Sequence, residues 1–495
     1  MVFCGKPSKA CQRCRDRRLK CDLRSGSCGQ CIRASVVCTG YRDTQQLRVR
    51  NESQDVREKV LLRKATYSGP SSLALSLELQ ARHVFFTYYV TGFSKTWDFL
   101  KPFYNPTHSP EHLKLSIDAV SLAYLSHQAY SNAALSTAKE KYVSALHMTY
   151  KALQSPEIAV KDSTLLASLL LDLFEKFTNG KSRHSEPWKS HVKGALALVR
   201  LRDLEQFQDP SALRLLVRLS TNFLISSVAT DTRVPDGVST LRAYAGERLN
   251  AGDPKWRLTN LMVHYANLRS DIRNGHLPSD DCIRMSIDPH AKLQALALNA
   301  PASWQHKTTT VNHDSEMIYD HRFESYADRH VTQTWNVSRL VRILLNEYVL
   351  ECYLEPAADV TANGCSLLMS TASHNIETLA CEICASVPQY VDCLGAARSK
   401  LSISESATTT FGGAGHLHSP SQKLDCYTLI FPLYVAGRSR GSPSTLKPWV
   451  IKQLHHMGSH FGIRNAELIC QILEKGVGVN PWAVYAMLGS YASAA

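Results

Sequence analysis

The spacing of six cysteines near the N-terminus constrains this chain more than any other feature. Cys11, Cys14 and Cys21 stand as C-x2-C-x6-C, and after six residues Cys28, Cys31 and Cys38 repeat the pattern. A C-x2-C pair brings two thiolates to one tetrahedral ion at about 2.3 Å each. Six sulfurs can serve one zinc ion and leave two thiols over, or serve two zinc ions if two sulfurs are shared. The repeat favours sharing and puts the first cysteine of each unit, Cys11 and Cys28, in the bridging positions. One ion would take Cys11, Cys14, Cys21 and Cys28, the other Cys28, Cys31, Cys38 and Cys11. A disulfide framework is the competing reading. It needs an oxidising compartment, and Met1 to Ala10 shows Lys6 and Lys9 but no apolar signal segment.

Charge is concentrated on the same end. Residues 1–64 hold 16 Lys and Arg against 6 Asp and Glu, whereas the other 431 residues hold 40 against 37. A basic head on a near-neutral body points to a polyanion as partner of the head, and nucleic acid fits best. Membrane binding is disfavoured, because residues 11–38 lack an amphipathic apolar face and no apolar run is expected to cross a bilayer.

The basic run Arg13, Arg15, Arg17, Arg18 and Lys20 sits inside the first cysteine unit and matches C-x2-C-R-x-[RK]-[KR]-x-K-C. This stretch resembles the Zn2Cys6 binuclear zinc cluster of fungal transcription factors. The flanks, Gly5 to Lys9 and Cys38 to Asp43, resemble those of a large filamentous-fungal branch. The resemblance implies two zinc ions per chain, double-stranded DNA as partner, a nuclear location and regulation of RNA polymerase II genes. It also implies contact with transcription machinery or co-regulators, a CGG-type half-site and, from the branch, control of a secondary-metabolite gene cluster. A helix from near Cys14 would place Arg17 and Arg18 at its end, where guanidinium groups can read guanine O6 and N7. Arg15 and Lys20 are expected at phosphates, with Arg33 the one cation offered by the second unit. Two departures stand out. Arg18 replaces the family's usual lysine, and Gly26 stands where a proline usually precedes the fourth cysteine.

Beyond the cluster, Leu47, Val49, Val56, Val60 and Leu61 do not sustain a heptad, so the segment gives no support for a homodimer. From residue 77 the apolar spacing is helical. Helices are expected at 77–89, 111–130, 132–154, 162–177, 187–202, 209–227, 254–274, 313–354, 366–386, 420–437, 445–475 and 481–492. Three stretches resemble the all-helical fungal-specific regulatory domain: Leu170 to Glu175; Trp188, His191, Gly194, Ala195 and Leu198; and Phe431 to Gly437. Trp188 and His191 read as core residues. The fold expected is therefore a small Zn2Cys6 domain at 1–42, a linker at 43–76, and a large all-α domain at 77–495 with a Ser/Thr/Gly-rich insertion at 402–422.

No enzyme is expected. Gly437-Arg438-Ser439-Arg440-Gly441 matches G-x-S-x-G, but a nucleophile elbow needs a strand before its serine and a helix after it, and here a helix precedes a basic surface turn. Cys381 and Cys384 form a second C-x2-C with no matching pair nearby. His455 and His456, like His416 and His418, read as solvated. No H-E-x-x-H or P-loop sequence occurs.

Overall fold

The structure is a computed structural model and describes residues 8–42, 75–93, 97–178, 194–202, 204–354, 362–392, 420–476 and 478–488. The chain divides into two compact units, one within Met1–Ala74 and one within Leu75–Ala495. Of the expected linker, residues 43–74 lie outside the described residues, as do Trp188, His191, His416, His418 and most of the 402–422 insertion.

The first unit holds two short helices, α1 (Gln12–Asp16) and α2 (Gly29–Arg33). Helix α1 begins before Cys14 rather than at it, because Cys11 already takes the extended conformation of an N-cap.

The second unit is helical around one large apolar core. It opens with Leu77–Val84, which widens into a π-helical segment, Phe85–Phe93. The widening accompanies an aromatic cluster. Phe85 stacks on Tyr89 at 5.4 Å, and Tyr89 meets Tyr124 and Phe177 at 5.5 and 5.3 Å. Helices Glu111–Ala129, Asn132–Leu153 and Asp162–Thr178 keep closely to the expected spans. Tyr130 turns the first of these with φ 51°, and the Ser131 side chain caps the next by accepting from Ala134 N at 3.2 Å.

Helix Asp162–Thr178 carries the Leu170 to Glu175 stretch and buries almost its whole circumference. Two of its charges are sealed in with it. Lys176 Nζ lies 2.6 Å from Asp172 Oδ2, both side chains under 5 % exposed, and Asn222 Nδ2 donates to the same carboxylate at 2.9 Å. Glu175 accepts from the Tyr142 hydroxyl at 2.6 Å. The polar residues of this stretch are thus internal fastenings.

Asn222 comes from helix Pro210–Ala229, which changes one expectation. This helix is long and apolar enough to cross a bilayer, yet 78 % of its apolar window is buried inside the protein. It is a core helix, with Leu215, Leu216, Leu219 and Phe223 all covered.

The remaining departures have local causes. Two helices of more than ten residues stand outside the expected spans, Asp236–Gly246 and Ser279–Leu298, as do the single turns Leu100–Phe103, Pro156–Ala159 and Pro388–Val391. The first has glycine near both ends, and the second contains Pro289, which reads as a breaker but is buried within the helix. The span 313–354 is not one helix. Strands β1 (Lys307–Thr310) and β2 (Arg322–Ser325) pair antiparallel, Thr308 opposite Glu324, and only then does helix Arg329–Leu354 begin. Glu324, wholly buried, is the reason the hairpin docks. Burial works against its carboxylate, but Arg339, Tyr326, His306 and Arg322 outweigh that and hold its pKa below the usual range. The span 445–475 breaks into Leu446–His460 and Arg464–Glu474 at Gly462, φ 68°. Helix Pro420–Arg438 keeps to the expected 420–437, overlapping only the last residues of the expected insertion, and Pro481–Met487 ends the described helices.

Removing one partner from the buried pair should expose the cost of the other. Lys176→Met removes the cation nearest Asp172 and should lower stability by about 3 kcal/mol, measured by urea unfolding monitored by helical circular dichroism. The double variant Asp172→Leu/Lys176→Met should lose clearly less than that single variant.

Candidate metal centre and its basic face

The two cysteine units fold as structural copies, offset by 17 residues. In each, the first cysteine caps a short helix and the second lies inside it: Cys11 and Cys14 with α1, Cys28 and Cys31 with α2. Leu19 N donates to Cys14 O at 2.8 Å, and Val36 N to Cys31 O at 3.1 Å. Each helix is then left through a residue in the left-handed region, Arg18 at φ 50° and Ser35 at φ 53°. The match continues past the third cysteines, with Leu23 at φ 56° and Gly40 at φ 84°.

This duplication brings six sulfurs together. Two sets of four have all their Sγ atoms within 4.8 Å of one another, Cys11, Cys14, Cys21, Cys28 and Cys11, Cys28, Cys31, Cys38. They share Cys11 and Cys28, the pair the repeat places between the ions. Ligands on a tetrahedral zinc at about 2.3 Å stand about 3.8 Å apart. Cys11 and Cys28 are 3.7 Å apart, Cys14 and Cys28 3.7 Å, and Cys11 and Cys31 3.8 Å. The donor set therefore fits zinc, and no cysteine among the described residues is in a disulfide.

Unaided thiols at such separations resist ionisation. Burial, then Cys28 and Cys11, push the Cys31 thiol up to about 12, and burial with its thiol neighbours raises Cys14 further. Cys38 goes the other way, to about 7, because the backbone at Cys28 and Gly40 hydrogen-bonds to its sulfur. Bound zinc would supply the positive charge that lets all six act as thiolates.

Several side chains hold the two halves in register. Arg13, part of the basic run, turns inward and donates to Gln30 O at 2.9 Å. Asp22 accepts from Gly29 N with both oxygens, at 2.9 and 3.1 Å, and pairs with Arg24 at 3.1 Å. A Cβ on Gly29 would lie 2.6 Å from that carboxylate. The Tyr41 hydroxyl donates to Arg24 O, and Arg42 N donates to Lys9 O at 3.2 Å, closing the module where the chain enters and leaves. Gly26 sits at φ 90°. Proline is fixed near −65°, so here the glycine makes a turn that proline cannot.

The expected DNA-contact residues divide. Arg17, Arg18 and Lys20 are exposed, and none has a side-chain partner among the described residues. Arg17 is the C-cap of α1 and Arg18 comes next, so both project beyond the helix rather than from its last turn. Arg15 is half-buried and donates to Gln12 Oε1. Arg33 is exposed and donates back to Gly29 O at 3.3 Å. The second unit also exposes apolar side chains, with Ile32 60 % and Val37 90 % exposed.

Comparison with known families places these features. Residues 9–48 match the model of the fungal Zn(2)-Cys(6) binuclear cluster domain, and residues 84–236 match that of the fungal specific transcription factor domain. The chain carries the two domains of a fungal zinc-cluster transcription factor. The zinc-cluster domain binds two zinc ions. The second match spans the core helices from Val84 to Asp236 and includes the Leu170 to Glu175 stretch and the 188–198 pattern, whereas Phe431 to Gly437 lies beyond it. No curated protein and no solved structure gives a significant match.

The other candidate sites read differently in three dimensions. Ser439 comes just after helix Pro420–Arg438 with no strand before it, and it is buried, not on the surface. The two glycines of its motif are packing residues. A Cβ on Gly437 would meet Val450 at 3.0 Å, and one on Gly441 would meet Ile376 at 3.0 Å. Cys381 and Cys384 lie in helix Ala362–Ala385, outside the metal-compatible groups found among the described residues. His455 is exposed and pairs with Glu467 at 3.2 Å, while His456 stacks on His460 at 4.7 Å.

The joint between the units can be probed directly. Gly26→Pro should speed zinc loss to a chromogenic chelator several-fold, with Ser25→Ala unchanged. Asp22→Ala, which removes the acceptor at the start of α2, should destabilise the cluster by about 1 kcal/mol and also release zinc faster.

Proposed function

We propose that this chain is a sequence-specific DNA-binding regulator of RNA polymerase II genes that acts in the nucleus and docks its zinc cluster on a CGG-type half-site. The observation that carries this reading is the state of Arg17, Arg18 and Lys20: three exposed cations at the exit of α1, without side-chain partners among the described residues. An unpaired surface cation costs little to bring to a phosphate, and each phosphate neutralised releases counterions, which supplies most of the affinity. Arg17 and Arg18 are assigned to base edges, where a guanidinium donates two hydrogen bonds to guanine O6 and N7. Lys20 and Arg33 are assigned to phosphates. Arg15 joins them there only at the cost of its bond to Gln12.

The six cysteines are assigned as the zinc ligands, Cys11 and Cys28 shared. Zinc, when bound, fixes the distance between the two units. Arg13 and Asp22 then orient the exit of α1 relative to α2. The helical body is read as the regulatory part, communicating with transcription machinery or co-regulators. The exposed apolar surface of the second unit, at Ile32, Val36 and Val37, offers no hydrogen-bond readout and suits scaffold and backbone contact.

Selection of bound DNA from a random pool should recover CGG-containing sites; recovery of no preferred sequence would overturn the reading. Arg18→Asn removes the guanidinium while keeping a residue that tolerates left-handed backbone. It should relax base preference at one position at a cost of about 1–3 kcal/mol, whereas Lys20→Ala should weaken all sequences alike and reduce the salt slope by about 1. Equal weakening of every sequence by Arg18→Asn would remove Arg18 from the base-reading role. Elemental analysis should find fewer than two zinc ions per chain in Cys14→Ser and an unchanged content in Cys282→Ser.

A further inference from the structure

The helical body contains a polar cavity of about 440 Å³, within the range of small-molecule sites. Its walls come from helix Ser279–Leu298, the segment just before β1, helix Arg329–Leu354 and helix Ala362–Ala385. Trp335 and Leu379, both buried, give it an apolar side. Gln294, Gln305, Asn375 and Thr378 add neutral donors and acceptors, and His306 and His374 also line it.

Two arginines one helical turn apart line this cavity, and their situations are opposite. Arg339 is fully engaged. Its guanidinium meets Glu382 at 3.0 Å and Glu324 at 2.8 Å, and donates to the Tyr326 hydroxyl at 2.6 Å and Asn336 Oδ1 at 3.2 Å. Arg342 has no ion pair and no side-chain hydrogen bond among the described residues, and its buried Nε has no acceptor. Burial draws its pKa down, Glu382 partly offsets that, and the neighbouring Arg339 adds to it. Arg342 is half-buried with an orphaned Nε beside the cavity, and a ligand oxygen would supply the missing acceptor.

We propose that this cavity binds a small organic carboxylate, with the Arg342 guanidinium as its anchor. One unengaged guanidinium suits a single carboxylate, which it can grip through two parallel hydrogen bonds. The Glu382 carboxylate in the same wall disfavours a doubly charged guest such as phosphate. The neutral amides and hydroxyls suit polar substituents on the acid, and Trp335 suits a flat or apolar part of it. The site lies wholly within the helical body and does not depend on the DNA-reading assignments.

The test uses the zinc-loaded full chain and 4-hydroxybenzoate as probe, with its uncharged counterpart 4-hydroxybenzamide and inorganic phosphate alongside, by titration calorimetry and tryptophan fluorescence. The benzoate should bind saturably, the amide and phosphate much more weakly. Arg342→Gln should lose at least about tenfold in affinity, while Arg440→Gln, an exposed arginine that does not line this cavity, should match the parent. Thr378→Trp, which fills the cavity from its rim, should also abolish binding, and it serves if Arg342→Gln does not fold. No saturable binding of the benzoate, equal binding of the amide, tighter binding of phosphate, or unchanged affinity in the Arg342 or Thr378 variant would each overturn the proposal.

Discussion

Six sulfurs, gathered in two groups of four within 4.8 Å and with the closest pairs 3.7 to 3.8 Å apart, are the constraint on which the N-terminal unit depends. At that distance neither six thiols nor six bare thiolates is a comfortable state. The first wastes buried polar groups, and the second piles up like charge. Two dications resolve the conflict, and the rest of the unit is built around them. The short helices are too small to persist alone, and the apolar residues are largely on the outside, with Ile32 and Val37 exposed. What is buried is mostly cysteine. The metal core thus takes the place of a hydrophobic one.

The same logic operates in the body with the opposite balance. There the apolar core is extensive, and Asp172 and Glu324 enter it with matching cations, while Arg242 is buried among the neutral acceptors Asn260, Thr259 and Ser220. Asp172 and Lys176 lie one turn apart on the same helix and both reach Asn222 on helix Pro210–Ala229, and Glu324 with Arg339 joins the hairpin to a helix. The Glu324–Arg339 pair fixes how the hairpin and its helix approach, since sliding one past the other would strand a charge. Arg342 is the exception among the described residues that line its cavity, which is why it stands out as a functional candidate rather than a structural one.

Much of this was legible in the sequence, for reasons that differ by region. The cysteine spacing encodes the sulfur grouping almost directly, because a metal core leaves little freedom in where ligands can sit. The long helices at 111–129, 132–153 and 162–178 were legible because their apolar spacing is sustained without a breaker. The hairpin was not, since its docking depends on Glu324 meeting Arg339 fifteen residues later, a tertiary fact. Helix Ser279–Leu298 was hidden by Pro289, whose cost the surrounding packing absorbs. In the site, the basic run showed which residues carry charge but not that Arg13 turns inward while Arg17, Arg18 and Lys20 stay exposed. That division depends on which residues reach the carbonyl of Gln30, which no local pattern reveals.

The hydrogen bond from Arg42 N to Lys9 O brings the two ends of the zinc-cluster unit to one point. A chain pulled at those ends loads that single joint first. Tension between the residues before Lys9 and those after Arg42 is therefore carried around the sulfur core and not through it. The unit is a loop closed at its neck, and a weak pull meets that closure, one hydrogen bond of about 1 kcal/mol, before it reaches the sulfurs.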